Sequence, residues 1–243
     1  MFADLDAFAR AAATRIVTVA TMAIAARGRF SIALSGGSTP RPIYELLARA
    51  PYSTQIDWSR VHVFWGDERC VPPDHPESNY RMAREALLDH VPVPAKYIHR
   101  IRGEDEPHEA ALDYEQVLRA FFAVADGPAE RTFDIELLGM GEDGHTASLF
   151  PGTAAVTEQN RWVLANHAPA AQVEWRITLT PIVLNAAEVV TFLVAGGSKA
   201  ARVAEVLGTA EDDHLPVQQI RPMHGAPIWM LDAAAAARLQ RSR

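Results

Sequence analysis

The sequence predicts an α/β fold built on a mostly parallel β-sheet covered by helices on both faces. Three observations carry that prediction. A short apolar strand, a small polar loop and a helix follow one another three times along the chain, and strands alternating with helices indicate βαβ units. A fourth apolar strand, over residues 61–65, also runs into a polar loop. The composition is that of an ordinary globular chain, 49% hydrophobic and 22% charged over 243 residues, which excludes wholesale disorder and fibrous structure.

The elements follow in order. Leu5, Phe8, Ala9, Ala12, Ile16, Ala20 and Ala23 fall on one face of an opening helix, and Gly28 after Arg27 stops it. A strand over 30–34 leads through Ser35-Gly36-Gly37-Ser38-Thr39-Pro40 into a helix opening near Pro42. The strand over 61–65 runs into Gly66-Asp67-Glu68-Arg69, and helices follow over 79–89 and 109–124. A strand over 133–138 enters the loop Gly139 to His145. Another, over 189–194, enters Gly196-Gly197-Ser198-Lys199 and a helix to about Leu207. Further strands are expected over 162–165, 176–179 and 228–231, and the alanine run 233–237 reads as helical. The Pro- and charge-rich stretch 92–107 is short for a domain boundary. The chain therefore reads as one Rossmann-like domain over 1–243, with room for a small appended lobe.

Charge narrows the function classes. The balance of 23 Lys+Arg against 30 Asp+Glu gives −7, which argues against nucleic-acid and anionic-membrane partners while leaving room for a local cationic pocket. The single cysteine, Cys70, makes no internal disulfide, no uninterrupted apolar run reaches ~18 residues, and no signal peptide is visible. A cytoplasmic location is expected. Internal repeats at solenoid periods are lacking.

In a parallel sheet, ligands sit beyond the carboxyl ends of the strands. All four polar loops leave their strands there, so they can converge on one cleft. In the loop 35–40, glycines let a ligand approach the backbone and two hydroxyl side chains add donors, which suits a phosphate. The alternative is a tight turn capped by Ser or Thr. Gly196 to Lys199 repeats the pattern and adds an ammonium. Asp143 and His145 flank Gly144, with Glu142 adjacent; a neutral imidazole can take a proton near neutral pH and a carboxylate can orient it. Asp67 and Arg69 could serve the same cleft, the guanidinium pairing with an oxyanion, and Arg176 is a further cation. Cys70 beside Arg69 reads as a bystander rather than a nucleophile.

Several motifs fail. A P-loop, a Gly-x-Ser-x-Gly elbow, a His-Glu-x-x-His and a metal-spaced Cys/His cluster are all missing from the sequence, so no metal or other cofactor is expected. Gly139-Met140-Gly141-Glu142-Asp143-Gly144 matches the dinucleotide fingerprint letter by letter. Its two acids would nevertheless face a pyrophosphate, and Phe150-Pro151-Gly152 would interrupt the required helix.

Together the segments 34–40, 65–69 with Ser78-Asn79-Tyr80, 138–151, 176–181 and 196–199 resemble the 6-phosphogluconolactonase family, in that family's order along the chain. The specific part is the run from Gly141 to Pro151. The resemblance implies hydrolysis of a phosphorylated sugar lactone in the oxidative pentose phosphate route. It places the phosphate against Ser35, Gly36, Gly37, Ser38 and Thr39, with Arg69 and Lys199 as cations and Arg176 as a weaker candidate. The lactone carbonyl then lies near His145 and Asp67, with Asp143 or Asp67 orienting the imidazole. Two rival readings stand beside it: a glucosamine-6-phosphate deaminase-type isomerase, whose corresponding loop is expected to carry a glutamate where this chain has Leu149-Phe150-Pro151, and a sugar-phosphate sensor without chemistry.

Overall fold

A computed structural model describes residues 1–169, 171–208 and 214–239. The helices are α1 (Leu5–Arg27), α2 (Arg41–Leu47), α3 (Asn79–Ala83), α4 (Pro107–Phe122), α5 (Pro181–Asn185) and α6 (Ala200–Val206). The strands are β1 (Phe30–Leu34), β2 (Val61–Trp65), β3 (Asp67–Arg69), β4 (Ile135–Leu138), β5 (Val163–His167), β6 (Trp175–Leu179), β7 (Val190–Val194) and β8 (Ile228–Leu231). Five strands form a wholly parallel sheet in the order β2-β1-β4-β7-β8. Every residue of β1, β4 and β7 is buried, as expected for strands covered on both faces. This is the α/β architecture the alternating pattern predicts.

The strand order carries the functional consequence. From β1 the chain steps outward to β2, and from β4 it steps the other way to β7 and β8, so the connection reverses between β1 and β4. Reversal leaves a crevice at the carboxyl ends of those two strands. The loops that emerge there are 35–40 and 139–145.

A second, antiparallel sheet, β3-β6-β5, is the small lobe for which the sequence left room. Residues 67–69, which the sequence pattern predicts to be loop, form its first strand. Only Gly66 separates β3 from β2, and the Leu179 amide donates to the Gly66 carbonyl at 2.9 Å, so the small sheet is hinged directly onto the large one.

Local signals explain the helix ends. Asp4 caps α1 by accepting from the Ala7 amide, and Gly28, at φ 73, closes it. The face running through Phe8, Ala12, Ile16 and Ala20 is buried, while Leu5, expected on that face, is exposed at the helix start. Among the described residues α1 is long and apolar enough by length and composition to cross a membrane; here its apolar face is packed into the core beside β1 and α2.

One helix expectation is corrected. The alanine run 233–237 forms turns rather than a helix. Asp232 accepts from the Ala235 amide and Ala235 is fully buried, so tertiary packing overrides a propensity too short to nucleate on its own. Within the stretch 92–107, the His99 amide donates to the Val63 carbonyl at 2.8 Å and Ile101 is buried. The 79–89 helical stretch is present, as α3 continuing into a π-helical turn, Arg84–Leu88.

The outer strand β2 carries a pH-sensitive contact. His62 Nδ1 lies 3.2 Å from His99 Nε2, and its ring lies against Tyr97 and Phe121. Burial, then the charges of His99, Arg29 and Lys96, push the His62 pKa down to about 4. The unfolded chain protonates first, near ~6.5, so this contribution to stability is intact above that pH and is lost progressively as pH falls from about 6.5 towards 4. Urea titrations across this window should show a smaller acid-induced drop in midpoint for His62→Gln than for the unsubstituted protein. Equal drops would refute the assignment.

Candidate active site

The first loop is shaped by what glycine lacks. A Cβ on Gly36 would come within 1.7 Å of Asn79 Oδ1, and Gly37 sits at φ 92, so side chains are disfavoured at both positions. Tyr44 pins Ser35 from both sides, its hydroxyl accepting from the Ser35 amide and donating to the Ser35 carbonyl. The start of α2 is capped by no side chain. The Ser/Thr-capped turn, the alternative that the sequence left open, is therefore not what forms here. Ser35 Oγ is buried without a protein partner.

The second loop is held by a residue whose role the sequence reading did not assign. Asn79 Oδ1 accepts from Arg69 Nη1 at 2.6 Å, while Asn79 Nδ2 donates to the Asp67 carbonyl at 2.9 Å and approaches Asp67 Oδ1 at 3.3 Å. Ser148 Oγ donates to Asp67 Oδ2 at 2.6 Å, so the buried Asp67 carboxylate joins the second loop to the third. Arg69 Nη1 also reaches the Glu77 carbonyl, and Arg69 Nε is buried without a protein partner. Neighbouring Glu68 points inward. It accepts from the amides of Arg69, Asn79 and Tyr80 and from Ser78 Oγ; burial raises its pKa against the pull of those amides. Glu68 braces the loop.

In the third loop, His145 Nδ1 lies 2.6 Å from Asp143 Oδ1, and the His145 amide reaches the same oxygen at 3.1 Å. Burial pushes the Asp143 carboxyl up, but the bonds and charge from His145 outweigh it and the net shift is downward. An anionic Asp143 places the imidazole proton on Nδ1 and leaves Nε2 free to accept another. The ring lies 4.5 Å from the Phe150 ring, and the side chain is about a third exposed, 32%, so solvent reaches it. Turns rather than a helix follow Gly144, which removes the dinucleotide reading. The loop's tightness depends on Gly141, where a Cβ would lie 2.1 Å from His145 Nδ1 and 2.4 Å from Asp143 Oδ1.

The fourth loop turns at Gly196, φ 97, into a short 3-10 turn ending at Lys199. All four loops meet. One part of the cleft, about 250 Å³, is lined by Ser35 to Thr39, Gly141, Lys199, Asp67, Arg69 and His145. A larger part, about 690 Å³, shares Asp67, Arg69 and His145 and is lined further by Asp143, Phe150 and Arg176. Lys199 lines the smaller part of the cleft and Arg176 the larger. In the β3–β6 ladder it pairs directly with Arg69, and burial, then the Arg69 charge, lowers its pKa. Two cations opposed across strands repel each other, and an anion between them would relieve the repulsion.

Burial pushes the Cys70 thiol up to about 11, which disfavours the thiolate a nucleophile needs. Among the described residues, no three His, Cys, Asp or Glu side chains gather as a metal site. Asn79 and Ser148, to which no sequence signal assigns a role, lie inside two segments of the family resemblance, Ser78-Asn79-Tyr80 and the run from Gly141 to Pro151. Their hydrogen bonds across 12 and 81 positions are visible only in the fold.

Known proteins resemble this chain in sequence and fold. Residues 3–229 match the family model described as glucosamine-6-phosphate isomerases/6-phosphogluconolactonase. A 6-phosphogluconolactonase of Nostoc sp. is 46% identical over 228 residues, covering 92% of this chain and 90% of that protein. One of Haemophilus influenzae is 44% identical, covering 84% and 85%. A solved 6-phosphogluconolactonase from Trypanosoma cruzi superposes with a TM-score of 0.86 at 30% identity, over 98% of this chain and 95% of that one.

Proposed function

The chain belongs to the glucosamine-6-phosphate isomerase/6-phosphogluconolactonase family, and from that membership we propose that it hydrolyses 6-phosphogluconolactone to 6-phosphogluconate through the His145 imidazole. The observation that carries this reading is one cleft holding both a glycine- and hydroxyl-rich loop with an ammonium and an Asp-oriented histidine. The isomerase reading lacks its carboxylate, since Leu149-Phe150-Pro151 occupy that stretch. The sensor reading leaves the Asp143–His145 pair without a use.

The substrate phosphate binds against Ser35, Gly36, Gly37, Ser38 and Thr39 with Lys199, and Arg69 faces both parts of the cleft. His145 Nε2 removes a proton from water as its oxygen attacks the lactone carbonyl carbon. The resulting oxyanion is steadied by Arg69 or nearby amides. When the tetrahedral centre collapses, the ring carbon–oxygen bond breaks and the imidazolium returns the proton to the departing ring oxygen, giving the open hydroxy acid. Asp143 holds the ring through Nδ1 and compensates its transient charge. Asp67, bound by Ser148 and Asn79, sets the position of Arg69. A δ-lactone is an activated ester, so a positioned base worth roughly 10²–10⁴ together with phosphate anchoring is sufficient.

The test is acid release in a pH-stat from freshly generated 6-phosphogluconolactone beside the unphosphorylated lactone. The phosphorylated substrate should be strongly preferred. Lys199→Ala should raise its KM roughly 10- to 100-fold, the weight of one charge-assisted contact, with kcat little changed. Equal rates on both lactones in the unsubstituted protein would remove the phosphate anchor.

A further inference from the structure

We propose that Asp232, at the far edge of the sheet and outside the cleft, is a positioning residue that fixes the Lys199 loop by gripping the Gly196 amide. The proposal rests on the phosphate-anchor reading of Lys199 given above. Asp232 directly follows β8 and is only 6% exposed. Both of its carboxylate oxygens lie 3.1 Å from the Gly196 nitrogen, and Oδ1 also accepts from the Ala235 amide at 2.7 Å. A buried carboxylate needs such donors to offset its lost hydration.

The grip falls where the loop has the most freedom to be set otherwise. Gly196 adopts φ 97 and ψ 145, a conformation nearly confined to glycine, and a flexible residue there is costly to order. With its amide turned back onto Asp232, the Gly196 carbonyl faces the next turn and accepts from the Lys199 amide at 3.1 Å. That bond winds residues 197–199 into the short turn that carries the ammonium into the cleft. The edge strand is itself anchored, because Phe2 bridges to Asp232 and its amide donates to the Leu231 carbonyl. A negative charge behind a phosphate loop is electrostatically unfavourable for an anionic ligand. The carboxylate nevertheless serves the geometry, since it accepts from the Gly196 and Ala235 amides at once.

Asp232→Ala should raise KM for 6-phosphogluconolactone about tenfold, the weight of one hydrogen bond to a charged group. Its kcat and its rate on the unphosphorylated lactone should stay as in the unsubstituted protein. Asp232→Asn keeps one accepting oxygen and should shift KM by about threefold, roughly half of that free energy. An unchanged KM in Asp232→Ala, or an equal loss on both lactones, overturns the proposal. If the alanine variant yields no folded protein, the asparagine variant decides, and an unchanged KM there overturns it. Lys199→Ala in the same assay separates the two layers: a raised KM there with none in the Asp232 variants refutes Asp232 alone, whereas an unchanged KM there refutes the anchor and this proposal with it.

Discussion

Replacing His145 with alanine is expected to lower kcat roughly 10²- to 10⁴-fold, the span of a positioned general base, while KM for the phosphorylated lactone changes little. The division follows from the cleft. Binding is assigned to the loop 35–39 and Lys199, and the imidazole acts on the water and the ring oxygen, so its removal subtracts from the transition state more than from the bound substrate. The side chain is partly exposed and leans on Phe150, so the variant opens no buried cavity and should unfold at the same urea concentration as the unsubstituted protein. Steady-state acid release measured over a range of lactone concentrations checks the claim. Near-normal turnover would take His145 out of the mechanism, and an equal rise in KM would make it a binding group instead.

A single methyl group at Gly141 should do almost as much damage. The backbone there is open to any residue, yet the Cβ of Gly141→Ala would enter the space of both His145 Nδ1 and Asp143 Oδ1. Something must move, and the side chains of the pair are what stand in the way. Displacing a proton-transferring group by about 1 Å can cost roughly 10²-fold in rate, so kcat should fall by about that factor with KM and the unfolding midpoint nearly unchanged. Carbon- and nitrogen-detected NMR of the imidazole supplies an independent readout, because loss of the 2.6 Å contact to Asp143 alters the Nδ1 proton signal. Full activity with an intact signal would show that the loop absorbs the methyl and that its tightness has no bearing on turnover.

Much of this molecule is legible along the chain because the signals are local. The Asp4 cap, the Gly28 stop and the apolar strands 30–34, 61–65 and 228–231 coincide with observed elements. The loops that follow the strands could be assigned to one end because parallel strands share a direction. The Asp143–His145 contact spans two positions, so spacing alone allowed it to be anticipated.

What the chain could not disclose is held by non-local packing. The strand at 67–69 exists only because β6, more than a hundred residues later, pairs with it. Arg69 and Arg176 face one another by that register, and Arg176 lines the larger part of the cleft while Lys199 lines the smaller. Asn79 and Ser148 acquire their roles through bonds to Asp67 that no periodicity encodes, and the alanine run forms turns in which the Ala235 amide bonds Asp232. The sequence by itself therefore determined the α/β class, the loops and the chemical groups they carry, since caps, turns and hydrophobic runs act over a few residues. The tertiary structure decided which of those groups share a wall of the cleft and which hold one another in place, because strand register and side-chain contact are settled only when distant segments are packed together.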